Sequence, residues 1–358
     1  MAKVVKILAQ RNESLLFIKN DDQSAAAAAG GSGGTARRAR SNTEKIKALD
    51  PRYVAKVHEA LDKIGYALQE DDVPSIAKGL RGLATIARQS QTNVALIART
   101  QLPMHLLSLL SVEGGDKRAV SVRLATLLSL HNLTTDEEFS RALCRCGALP
   151  LLLESIESLA ADSQKERDAA LKNVVQMMTA AKDSAALLCA SGGVDTLGAL
   201  LVATDPSNGT TMMLLIHALG LAFEEEDSIS AFNRAEGAVD RLIAVYTALR
   251  DAGAAATSAN ADRFRLMVRT VDALAKCARN DDMRETVVDA GVLDTVGDFL
   301  LDERRVLVAM ALQHIAAVAP ACQVELAALN ARDRVEQAVV RHPALASLCA
   351  GVASGLPA

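Results

Sequence analysis

The chain has 358 residues, half of them hydrophobic, yet only 3% aromatic, with no Trp and a formal net charge of −4. That length allows two or three domains around a large core, and the charge excludes a global basic field that would draw the whole chain to nucleic acid. The apolar mass is Ala, Leu and Val, which suits closely packed helices better than sheets, and no uncharged apolar run of 18 residues announces a membrane span.

In chain order, residues 3–18 form an apolar and basic segment, read as a short helix within a 1–20 N-terminal segment. Leu15, Leu16, Phe17 and Ile18 are too apolar for a casual tail and are the candidate anchor to the rest of the chain or to a partner. Residues 21–36 (DDQSAAAAAGGSGGTA) have the composition of a flexible linker, and the linker region, basic from residue 37, runs to 49. Within it RRAR (37–40) precedes Ser41, a candidate phosphosite, with an acid-binding clip, a protease site and a plain solvated linker as the other readings. Residues 1–49 carry nine Lys/Arg and four Asp/Glu, a net of +5, which leaves −9 for the remainder. The N-terminus lacks a secretory signal, and Glu13, Asp21 and Asp22 argue against a mitochondrial transit peptide without removing that option. Six scattered cysteines read as reduced, mostly buried thiols, so a cytoplasmic or cytoskeletal location is expected.

From Asp50-Pro51, a cap followed by a first-turn proline, the pattern is helical to about residue 350, with 351–358 as a tail. One motif recurs in that body. With Thr100, Gly147, Gly192, Gly237 and Gly291 as zero points, the spacings are 47, 45, 45 and 54. Three positions on stand Pro103, Pro150, Asp195, Asp240 and Asp294, all residues that suit a first helical turn. Offsets two, five and nine are apolar and share a helix face: Leu149, Leu152 and Ile156 in one copy, Leu293, Val296 and Leu300 in another. His105 is the exception at offset five. Four positions before the zero points stand Leu96, Leu143, Leu188 and Val287, while the fourth copy uses Phe232. The long spacing contains DAGAAATSANAD (251–262), which reads as a surface loop.

A period near 45 built only of helices marks an armadillo or HEAT solenoid. GALPLLLESI (147–156) and GGVDTLGALL (192–201) resemble the glycine-led helix opening of armadillo repeats, and SLHNLTTDEEFSRAL (129–143) resembles their long last helix. The resemblance covers roughly 53–330. It implies an all-α, right-handed superhelical solenoid of about five to six repeats in which each unit buries faces it cannot bury alone. It further implies a concave groove lined by the last helix of each unit, with a column that often holds Asn. Counting fifteen residues back from each zero point places Thr85, Asn132, Met177, Ala222 and Lys276 in that column, with His314 in a sixth unit. One turn earlier stand Arg81, Leu128, Asn173, Ala218, Asp272 and Met310. Only Asn132 matches the Asn column, and without Trp the array that importin-α-like members use for basic peptides is absent. The middle of this inferred groove is apolar and methionine-rich, so a partner helix or apolar segment is the expected occupant, against the alternative that Met177, Met178, Met212 and Met213 are core fillers.

Chemistry-bearing motifs do not accumulate. The six His are not spaced as helical zinc ligands, and Cys144 and Cys146 fall on different helix faces. There is no G-x-x-x-x-G-K loop, G-x-S-x-G elbow or H-E-x-x-H, and GGSGG (30–34) lacks the Lys of a phosphate loop. No cofactor, metal or catalytic residue is therefore expected. The acidic run at 224–227 reads as a solvated inter-helix turn. Arg263, Arg265 and Arg269 open a helix, and the last two share a face suited to carboxylates or phosphates, with a solvated face as the alternative. The expected function is a non-catalytic scaffold or adaptor that binds protein partners within a larger assembly, cytoskeletal or axonemal. The alternative is a subunit of an RNA-processing or ribosomal assembly whose basic N-terminus contacts RNA.

Overall fold

The computed structural model describes Glu59, residues 63–64, 72–89, 102–110, 117–157, 159, 163–181, 183–253 and 261–357. The expected anchor (Leu15 to Ile18), Ser41, the linker, the Asp50-Pro51 cap, Thr100 and most of the 251–262 loop lie outside the described residues. Among those described there is no strand. The chain divides into two compact units, residues 1–181 and 182–358.

Unit 1 contains α1 (Val73–Gln89), α2 (Leu102–Leu110), α3 (Lys117–Leu133), α4 (Glu137–Arg145), α5 (Ala148–Glu157) and α6 (Gln164–Ala180). The last three form one full repeat: a short first helix, a second helix across it, and a long third. Asp136 starts α4 by accepting from the Phe139 N–H at 3.0 Å, which satisfies an orphan donor of the first turn. The helix then ends at Gly147, whose φ of +80° is left-handed, and the chain reverses into α5. Leu143, Leu149, Leu152 and Ile156 are fully buried, as the offset pattern requires. The long helix α3 packs against α1 on one side and α6 on the other.

Unit 2 repeats the plan: α7 (Ser184–Ala190), α8 (Gly193–Ala203), α9 (Gly209–Ala222), then α10 (Glu226–Arg234), α11 (Ala238–Asp251), α12 (Ala261–Cys277), then α13 (Asp281–Asp289), α14 (Val292–Phe299), α15 (Arg305–Val318). Gly192, Gly237 and Gly291, at φ between +70° and +77°, sit at the three first-to-second junctions. The unit closes with α16 (Gln323–Ala328), α17 (Ala331–Arg341), a 3₁₀ turn (Pro343–Leu345) and α18 (Ala346–Ala353). The junction between α16 and α17 is Asn330, at φ +50°, a further repeat start with no glycine for the sequence pattern to find. Asn tolerates this conformation better than other non-glycine residues. The expected boundary at residue 350 falls inside α18, and Val352 and Leu356 are buried, so the described end of the chain packs against the unit. Among the described residues no single helix is long and apolar enough to cross a membrane.

Candidate protein-binding face

The third helices carry the candidate site. In unit 1 they are tied by side chains that reach backbone carbonyls of the helix before. Ser129 Oγ on α3 donates to Leu80 O at 3.0 Å, and Asn173 Nδ2 on α6 donates to Leu127 O at 2.9 Å and to Ala169 O at 2.8 Å. Arg123 on α3 and Glu166 on α6 form a two-point ion pair, 2.9 and 3.3 Å, with the Glu166 side chain only 3% exposed. Such a pair fixes which helix faces meet, because a buried charge without its partner is costly.

In unit 2 the tie is a charged network across α9, α12 and α15. Lys276 Nζ donates to Gly220 O at 2.7 Å, to Asp272 at 3.2 Å and to Glu224 at 2.7 Å. Asp272 also accepts from His314 Nε2 at 3.0 Å. Burial pushes the Asp272 carboxyl up, but the His314 hydrogen bond and the Lys276 ammonium outweigh it and hold the carboxyl below its ordinary range. Arg279 donates to the Phe223 carbonyl and to Lys276 O. His217, beside this network on α9, is pushed down to about 4, first by burial and then by the charges of Arg269 and Lys276, with Asp272 opposing.

These placements correct the sequence-derived columns. Asn173, Met177, Ala218 and Ala222 are fully buried in the helix seams and present no surface to a partner. Met178 and Met212 are buried as well, so the apolar, methionine-rich groove dissolves into core and with it the basis for an apolar helix as occupant. The cause is a register slip. The count ran backwards from each glycine through the first helix, and that helix varies: α7 has seven residues, while α4, α10 and α13 have nine. One extra residue also separates α10 from Gly237. Counted instead from the residues that cap the first helices (Asp136, Asp183, Glu225 and Asn280), the column runs Asn132, Thr179, Leu221, Lys276. One turn earlier it runs Leu128, Val175, His217, Asp272, and none of these eight is buried. Thr179, Leu221, Val175 and His217 were missed. The cap residues were a legible signal for them, because they stand next to the third helix itself.

Of the remaining assigned residues, His314 is a further correction, buried against Asp272, and the others keep some exposure. Arg81 and Thr85 on α1 are exposed, with Arg81 Nε on Ala77 O at 3.1 Å and Thr85 Oγ1 on Arg81 O at 2.9 Å. Leu128 is 46% exposed, and Asn132 Nδ2 bonds Leu128 O at 3.0 Å. Met310 is half-buried and His314 buried at 6% exposure. Cys144 is buried while Cys146 is exposed. Among the described residues no cluster of His, Cys, Asp and Glu is arranged to hold a metal. A cavity of about 300 Å³ is lined by Arg250, Met267, Thr295, Phe299 and three aspartates.

No protein-family model matches the chain, and no curated protein sequence does. Solved structures do. An engineered protein from a structural genomics consortium superposes with a TM-score of 0.63 at 16% identity, over 82% of this chain and 67% of that one. A designed armadillo repeat protein, solved in complex with the peptide (KR)4, superposes with a TM-score of 0.54 at 17% identity, over 72% of this chain and 100% of its own. The fold is armadillo-like. A computationally designed armadillo repeat protein for modular peptide recognition gives 0.52 at 17% identity, over 72% and 100%. In armadillo-like terms, α4, α10 and α13 are first helices, α5, α11 and α14 second, and α3, α6, α9, α12 and α15 third. The all-α repeat architecture read from the glycine-led starts is thus the observed one.

Proposed function

We propose that this chain is a non-catalytic, intracellular scaffold that binds protein segments along the exposed faces of its third helices within a larger assembly. One observation carries the reading. Within each unit the seams between third helices are closed by side chains bonded to backbone carbonyls, while the stripe beside them stays accessible and chemically varied: Arg81, Leu128 and Asn132 in unit 1, His217, Leu221 and Arg269 in unit 2. Within each unit, packed third helices with exposed polar and apolar side chains suit an extended segment, whose binding entropy cost falls mainly on the segment. The peptide bound to one designed armadillo neighbour, and the design of another for modular peptide recognition, support the same use of the fold. The reading as an RNA-assembly subunit rests on residues 1–49, outside the described residues.

The test is site-specific photo-crosslinking in the native cell. A crosslinker at Leu128 or His217 should capture protein partners, whereas one at Glu285 on α13, exposed but away from the third helices, should not. Equal capture from all three positions, or capture from Glu285 alone, would remove the third-helix face from the function.

A further inference from the structure

One face of α12 contains Arg265, Arg269, Asp272 and Lys276, spaced by four, three and four residues, exposed at the arginine end and largely buried at the Asp272–Lys276 end. The charges on it are not equally occupied. Asp272 is engaged by His314 and Lys276 together, and Lys276 spends its donors on Gly220 O, Asp272 and Glu224. Among the described residues Arg265 meets only the exposed Asp262, at 3.6 Å. Arg269 is exposed and makes no hydrogen bond or ion pair among the described residues. It stands one turn before Asp272 on the same face of α12, the helix that packs against α9, and its charge acts on His217 of α9. The neighbouring His217 is half-buried and, with its value pushed down to about 4, neither adds nor cancels charge at physiological pH.

We infer that Arg269, backed by Arg265 and flanked by His217, is an anchor for a carboxylate of an acidic partner segment lying across α9 and α12. The argument is charge complementarity. An exposed guanidinium can take a carboxylate in two-point geometry, and Asp272, one turn on along the same face, is already engaged by His314 and Lys276. The acidic run at Glu224–Asp227 lies at the far end of α9, at the Lys276 end of the stripe, so the segment's negative charge belongs at the Arg265–Arg269 end. This ligand is opposite in charge to the (KR)4 peptide held by the designed relative. The inference rests on the scaffold reading and deepens it.

The experiment uses the full chain and three fluorescein-labelled peptides: (Asp-Glu)4, (Lys-Arg)4 and an uncharged amphipathic helix. Fluorescence anisotropy should show binding of (Asp-Glu)4, weakened at least tenfold by Arg269→Glu and hardly changed by Arg332→Glu, a charge reversal of an exposed arginine on α17. Arg269 is exposed, so the variant should keep the wild-type melting temperature, and a melt confirms it. Loss of binding to the same degree in both variants would reduce the effect to net charge and overturn the anchor. Binding of (Lys-Arg)4 or of the helix in place of (Asp-Glu)4 would also overturn it, while leaving the scaffold reading intact. If none of the three binds, the acidic subsite is overturned, and the crosslinking from Leu128 and His217 decides the scaffold reading separately.

Discussion

Asp272 accepts from His314 and Lys276 at once; Lys276 also reaches the exposed Glu224 carboxylate, so Asp272 is the inner of its two carboxylate partners. Replacing it with Asn keeps the shape but removes the charge that both donors are arranged around. Asp272→Asn should lower unfolding free energy by about 2–3 kcal/mol, because breaking one member of a largely buried pair strands the rest; urea denaturation measures it. His217 makes a separate, pH-dependent contribution. Its folded value near 4 lies below the ordinary 6.5 of an unfolded imidazole, so the unfolded state binds the proton first. Stability should therefore fall as pH drops from about 6.5 to about 4, by roughly 1–2 kcal/mol after allowance for its partial exposure. His217→Gln should flatten that limb of the stability–pH curve. Asp272 works in a different window: with its folded value below 3.8, its contribution is present above that pH and disappears only beneath it. A His217→Gln variant with an unchanged slope between pH 6.5 and 4 would assign the dependence to another group.

At the level of helices, the junction glycines and the seam contacts can be tested apart from one another. Gly192→Ala forces an L-residue to φ +73°, with no side-chain contact within reach, and should cost about 1 kcal/mol through backbone strain alone. Asn330→Gly should go the other way or be neutral, since glycine relieves the same conformation. Gly198 on α8 serves a different need. A Cβ there would stand 2.9 Å from Ala235 Cβ and 3.4 Å from Ala238 Cβ, so α8 meets the α10–α11 corner at glycine distance. Gly198→Val should cost more than 2 kcal/mol, because those methyl groups are fixed to backbone and cannot swing away. Differential scanning calorimetry of the three variants separates strain from overpacking. These junctions were legible in the sequence because a left-handed turn needs a special residue and glycine recurs at it. Asn330 escaped because a search for glycine does not see the asparagine that does the same work.

At the level of the whole molecule, the chain joins a basic N-terminal stretch, net +5 over residues 1–49, to a body of net −9. If the N-terminal segment acts as a tethered second contact, deleting residues 1–36 should weaken incorporation into the native complex and leave the melting temperature unchanged. A large drop in melting temperature would instead make the segment part of the fold. The repeat itself was determined by the sequence: apolar faces at fixed offsets, capping residues, and left-handed starts near a 45-residue period are local requirements, each written in the residues that meet it. The working face was not. Which side of a third helix is sealed and which is open depends on how the neighbouring third helix lies against it. A change of two residues in a first helix rotates that choice by a little over half a turn, and one in the turn after it by about a quarter. Met177 and Ala222 satisfy the same periodicity as Thr179 and Leu221, and only the packed helices decide which of them meets solvent. The pairing of Asp272 with His314, 42 residues away, is of the same kind: long-range electrostatics settled by packing, with no local pattern to announce it.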